Sequence, residues 1–214
     1  MIRNPAFIRK TTHIIANAAE ETTLIFNQGR IQDETAFTVS LIRKIEDKIN
    51  GFEINGIKWE AMTLIPQTQE KIYGADFLGV LRIDTPNYKV SKGFLVQAKM
   101  KKNLKMIELK QQCDKMLKIS PSSFVFVYDD DGIKIYPAIS VLNSEKHPSK
   151  MFHRTPAGFY KLHFESFVGD RKLSAPNISI LEKIRKENEE ELDEIRREHE
   201  ARSILYLEAT STKQ

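Results

Sequence analysis

Two runs and the turn between them decide the fold: Gly74-Ala75-Asp76-Phe77-Leu78-Gly79-Val80-Leu81-Arg82-Ile83, then Thr85-Pro86-Asn87-Tyr88, then Gly93-Phe94-Leu95-Val96-Gln97-Ala98-Lys99-Met100. Side chains alternate across a strand. In the first run Ala75, Phe77, Gly79, Leu81 and Ile83 therefore share one face, and Asp76, Leu78, Val80 and Arg82 the other. In the second, Phe94, Val96 and Ala98 oppose Leu95, Gln97 and Lys99. Turn chemistry between them predicts antiparallel pairing. Such a hairpin brings Asp76, Gln97 and Lys99 together at one end. A lysine following Phe94-Leu95-Val96 inside a strand is uncommon unless it reaches an edge, a partner or a ligand.

Working outward, Lys10 to Phe26 carries Ile14, Ile15, Ala18, Ala19 and Leu24 at helical spacing. Asp33 is placed to cap a second helix reaching about Ile49, with Phe37, Leu41, Ile42 and Ile45 as its stripe and Asn50-Gly51 as its stop. Lys58 to Ile65 reads as a strand ended by Pro66. After Asn103 a helix to about Leu117 has the stripe Met106, Leu109, Cys113, Met116 and Leu117. Ser123 to Tyr128 reads as a strand buried on both faces, turning at Asp129 to Gly132 into Ile133-Lys134-Ile135-Tyr136. Ala138 to Asp170 reads as loops and short elements. Ile178 to Leu207 reads as one long charged helix, with Leu181, Ile184, Asn188, Leu192 and Ile195 as a narrow stripe and Ile204, Leu205 and Leu207 after it. The expected architecture is an α/β mixed sheet flanked by helices, with an αβββαβ core. Residues 1–170 form the expected domain, and 171–214 a helical extension for assembly or partner docking.

The 214 residues of 24.7 kDa have room for one full domain. No stretch approaches the roughly 20 apolar residues of a membrane span, so no membrane partner is expected. The basic start lacks an apolar segment with a cleavage site, and the single cysteine allows no internal disulfide, so a cytoplasmic location is expected. The net charge is only +4. Its distribution is more telling, because Lys92, Lys99, Lys101, Lys102 and Lys105 fall in a segment with few acids. A local positive field attracts phosphates whatever the total charge. Lys92, Lys101, Lys102 and Lys105 are accordingly the candidate nucleic-acid contacts.

Oxygen donors and an ammonium converging beside a basic segment are the parts of metal-assisted phosphodiester hydrolysis. Magnesium takes hard oxygen ligands, often one or two carboxylates with water and phosphate completing the shell. Glu34, on the second helix, is the candidate second carboxylate.

With Gly74-Ala75-Asp76, a hairpin and Gln97-Ala98-Lys99, the segment from about Gln32 to Tyr136 resembles the PD-(D/E)xK, or restriction endonuclease-like, nuclease superfamily in its Gln-x-Lys variant. The resemblance implies that Asp76, Gln97 and the main-chain carbonyl of Ala98 bind Mg2+, with Mn2+ able to substitute. It also implies that Lys99 assists the attacking water, that Glu34 completes the site, and that Gln112, with Gln111 close behind, contributes from the following helix. Two departures matter. Ala75 stands where the family name has proline, and Gln97 replaces an acid, so metal binding leans on Asp76 and Glu34. The expected function is a Mg2+-dependent endonuclease acting on DNA, in the setting of a bacterial restriction or antiphage-defence effector. The alternative is a non-catalytic subunit that keeps the fold and binds nucleic acid or a partner protein.

Other candidates carry less. Cys113 falls on an apolar stripe and reads as a structural thiol. His13, His147, His153, His163 and His199 lack metal-binding spacing. Trp59 reads as core, and Asp129-Asp130-Asp131-Gly132 as a surface turn.

Overall fold

In the computed structural model the described residues are 5–65, 74–198 and 200–212. Helices α1 (Pro5–Asn27) and α2 (Glu34–Ile49) are followed by strands β1 (Glu53–Ile54), β2 (Ile57–Leu64), β3 (Ala75–Thr85) and β4 (Tyr88–Met100). Then come a 3-10 turn at Lys101–Asn103, α3 (Met106–Ile119), β5 (Ser123–Asp129), β6 (Gly132–Pro137), α4 (Ala138–Asn143) and α5 (Pro156–Phe164). The chain closes with α6 (Ile178–Glu187), α7 (Glu189–Glu198) and β7 (Ala201–Ser211). Pro66, read as ending the first strand, lies outside the described residues, as do His199 and the side chain of Leu192.

The strands make one seven-stranded mixed sheet in the order β1-β2-β7-β3-β4-β5-β6. The hairpin forms as expected: β3 and β4 are antiparallel, with Phe77 opposite Val96 and Thr85 opposite Tyr88. The α3 crossover delivers β5 parallel to β4, and β6 folds back antiparallel on β5. Alternation buries both faces. Phe77, Val96 and Phe126 pack in the core with α1, α2 and α5 residues, whereas Leu78, Leu95 and Val125 pack with α3, α4 and α6 residues. Gly79 shows how tightly: a Cβ there would lie 2.3 Å from the ring of Phe94, its cross-strand partner.

The C-terminal segment corrects the sequence reading. The expected long helix from Ile178 breaks at Asn188, and Glu200 takes φ +48°. From Ala201 the chain is extended, running antiparallel to β2 and parallel to β3. Ile204, Leu205 and Leu207 are buried sheet residues rather than a docking stripe. The 171–214 segment thus supplies a central strand, and β2 and β3, expected as sequential neighbours, are separated by it. The physical reason is the run Ser203-Ile204-Leu205-Tyr206-Leu207, too continuously apolar for an amphipathic surface helix and suited to a strand covered on both faces. No helix among the described residues is long and apolar enough to cross a membrane.

Candidate active site

The candidate residues gather where β3 and β7 begin and where β4 and β5 end. Extending the Phe77–Val96 register by one residue sets Asp76 opposite Gln97. Gln97 Nε2 donates to Asp76 Oδ2 in a short hydrogen bond, and the Ala98 amide donates to the same oxygen at 2.7 Å. Gln97 is buried, while Asp76 keeps partial exposure. Two residues further along β4, Lys99 Nζ meets Glu34 Oε2 at 3.4 Å.

Glu34 reaches this end because α2 is anchored there. Asp33 caps the helix through Oδ1, accepting from the Ala36 amide at 2.8 Å, as its sequence position predicts. One turn on, the Phe37 ring stacks on Tyr128 of β5 with centroids 4.0 Å apart. Tyr128 Oη and Thr38 Oγ1 share a 2.9 Å hydrogen bond. An acid in the first turn also suits the helix dipole.

Burial pushes the Asp76 carboxyl up to about 6. The Ala98 amide and the charges of Lys99 and Arg202 pull against it, and Glu34 adds to the rise. Asp76 is therefore an under-compensated carboxylate facing a second acid, the electrostatic condition a bound cation relieves.

The donors suit Mg2+ better than a softer metal. Among the described residues no three His, Cys, Asp or Glu side chains gather as a metal cluster. The site offers instead two carboxylates, the Ala98 carbonyl and the Gln97 amide, all hard-oxygen chemistry. Gln97 currently presents nitrogen to Asp76; its amide must turn over to offer oxygen. Gln112, expected to contribute from the following helix, lies on α3. It shares the α3 face of Leu109, Cys113 and Met116, which packs on the Leu95 side of the sheet, and its buried Oε1 has no hydrogen-bond partner. Gln111 is exposed.

The four lysines divide. Lys102 and Lys105 line a cleft of about 440 Å³ together with Glu34, Lys99, Asn103 and Glu108. Lys105 is paired with Glu108 at 3.1 Å, an exposed contact that phosphate can displace. Lys101 turns toward Asp129 at 2.7 Å, away from that cleft. Lys92 is a correction. It is only 3% exposed, and its ammonium donates to the carbonyls of His163 and, at 2.7 Å, Val168. Burial lowers its pKa to about 8. It lies seven residues before Lys99 on β4, roughly 23 Å along the strand. Lys92 closes the α5 loop and is not a nucleic-acid contact.

Arg202, at the start of β7, was not among the sequence candidates. It is half-exposed, and its Nη1 donates to Thr35 Oγ1 at 2.8 Å, next to Glu34. The mistaken helix concealed it; a strand reading of 201–211 would have put a lone arginine at the end of a buried strand. The remaining background residues behave as expected. Cys113 is buried, its thiol pushed up to about 12 by burial. Trp59 is core, stacked on Phe7 at 5.3 Å. Comparisons with protein families, curated proteins and solved structures find no match to this chain.

Proposed function

We propose that this chain is a Mg2+-dependent nuclease of the restriction endonuclease-like type, hydrolysing phosphodiester bonds in DNA. One observation carries the reading. Asp76, hydrogen-bonded to Gln97 and the Ala98 amide, shares one sheet end with a Lys99–Glu34 contact of 3.4 Å.

In this reading Asp76, Glu34, the Ala98 carbonyl and the Gln97 amide hold the metal. The ion would acidify a water and offset the negative charge that builds on phosphorus. The protein's own contribution is placement. The Ala98 amide holds the Asp76 carboxylate in place, and the Gln97 amide donates to it until it turns over toward the metal. Glu34 orients the Lys99 ammonium, a donor-only group suited to steadying the attacking water or sharing charge on the phosphate. Gln112 Oε1 would offer a buried, unpartnered acceptor from α3. Lys102 and Lys105 give the cleft wall its phosphate attraction. A role as effector subunit of a bacterial defence system, in the cytoplasm and assembled with copies or partners, belongs to the same reading. With β7 in the sheet and Leu181, Ile184 and Ile195 packed on the chain's own core, docking in this reading would use the charged outer faces of α6 and α7.

The test is incubation of the purified full chain with plasmid DNA in Mg2+ or Mn2+, with and without chelator. Chelator-sensitive nicking or linearisation is the expected result. Intact plasmid, with DNA binding retained, would return the chain to the non-catalytic alternative.

A further inference from the structure

The β3–β7 pairing places a second cation beside Asp76. The two strands are parallel, with Ala75 opposite Ala201 and Phe77 opposite Ser203, so Arg202 stands across from Asp76. Gln97 occupies the corresponding position on the other flank. Parallel neighbours in register point to the same face, so Arg202, Asp76 and Gln97 form a row across three strands. Lys99 lies two residues beyond Gln97, leaving Asp76 bracketed by Lys99 on β4 and Arg202 on β7.

Most of the guanidinium is uncommitted. Among the described residues it makes one hydrogen bond, to Thr35, and no ion pair, whereas Lys99 is engaged by Glu34. A guanidinium has five N–H donors in a planar fork that matches two oxygens of a phosphate. Its charge also reaches Asp76. The Thr35 contact uses one of those donors and leaves the rest of the fork beside the carboxylate site.

We infer that Arg202 is a phosphate-gripping catalytic residue, its fork holding the non-bridging oxygens of the phosphodiester presented to Asp76 and Lys99. This rests on the nuclease reading and extends it: the site would recognise its substrate as a phosphodiester from two sides, through Lys99 and Arg202.

The test measures single-turnover plasmid cleavage in Mg2+, DNA binding in Ca2+ and thermal unfolding for the wild type, R202A, R202K and T35V. Loss of the fork in R202A should slow cleavage by about 100- to 1,000-fold, as loss of one preorganised charge-stabilising donor does. R202K should remain at least about 10-fold slow, because a point charge lacks the fork. T35V, which removes the strut's acceptor but leaves Arg202, should stay within about 5-fold of wild type. DNA binding and the unfolding midpoint should change little. R202A cleaving within about 5-fold of wild type would overturn the inference, as would a T35V loss equal to that of R202A, which marks a strut. Should R202A fail to fold, R202K decides alone: slow cleavage with an unchanged midpoint supports the inference, and wild-type cleavage refutes it. A wild type that does not cut in Mg2+ or Mn2+ removes the nuclease reading and this inference together. A cutting wild type with an unaffected R202A removes this inference only.

Discussion

Asp76 and Gln97 face each other across the β3–β4 hairpin, and the amide of Gln97 donates to the same carboxylate oxygen that binds the Ala98 amide. Its direct hydrogen-bond partners are two neutral donors, and burial outweighs them and the charges of Lys99 and Arg202, so the carboxyl is raised to about 6.

That shift has a direction in stability. The unfolded chain ionises Asp76 near its ordinary value of 3.8, whereas the metal-free folded chain holds the proton to about 6. The favourable contribution is complete below about pH 4 and is lost as pH rises through 6. Asp76→Asn should therefore match the wild type near pH 4 and be more stable above pH 6. The gain is at most about 3 kcal/mol, reduced by the partial exposure of the carboxylate. Urea melts at pH 4 and pH 8 measure it; equal stability at pH 8 contradicts the electrostatic picture. Mg2+ should raise the melting temperature of the wild type and leave Asp76→Asn unmoved.

Lys99→Ala should lower the cleavage rate by about 100-fold or more while most DNA affinity remains, since Lys102 and Lys105 line the same cleft. Binding isotherms beside single-turnover rates separate the two effects. Parallel losses in both would make Lys99 an anchor.

Charge reversal at Lys102 and Lys105 should weaken DNA binding and flatten its salt dependence by about two phosphate contacts. Lys101→Ala should change that slope little, because its ammonium is spent on Asp129. A large slope change from Lys101 would mean that the Asp129 pair opens on binding.

Lys92→Ala should destabilise by about 2–4 kcal/mol, since it strands the His163 and Val168 carbonyls beneath α5. Its folded population should bind DNA as the wild type does. Reduced affinity without loss of stability would restore Lys92 to the nucleic-acid surface.

These lysines show what is legible in a sequence and what is not. The alternation of 75–83 and 93–100 makes the hairpin readable, and with it the Asp76–Gln97–Lys99 cluster, because period-two patterning fixes both face and register. Asp33 marks the start of α2, so Glu34 is readable too. Lys92 is not: a lysine on a strand looks the same whether it meets solvent or two carbonyls of a loop far along the chain. β7 is hidden for a different reason. The acidic helix before it sets a helical period that masks the short apolar run from Ser203 to Leu207, whose cover on both faces comes from distant elements. Arg202 goes unseen with it.

Removal of 171–214 should abolish cooperative unfolding rather than leave a folded 1–170 domain, because among the described residues β7 is the strand that pairs with both β2 and β3. Circular dichroism and thermal melts of the truncated chain check this. A sharp transition with native-like signal would show that the sheet closes without β7.

The central claim is that Asp76, with Glu34, Gln97 and Lys99, makes a metal-dependent phosphodiesterase. The most direct measurement is plasmid cleavage in Mg2+ by wild type and Asp76→Asn, purified side by side and both shown to be folded. Cleavage by the wild type that chelator stops, with none by Asp76→Asn, is the predicted result. Equal cleavage by the two, or none by a folded wild type in either Mg2+ or Mn2+, contradicts it.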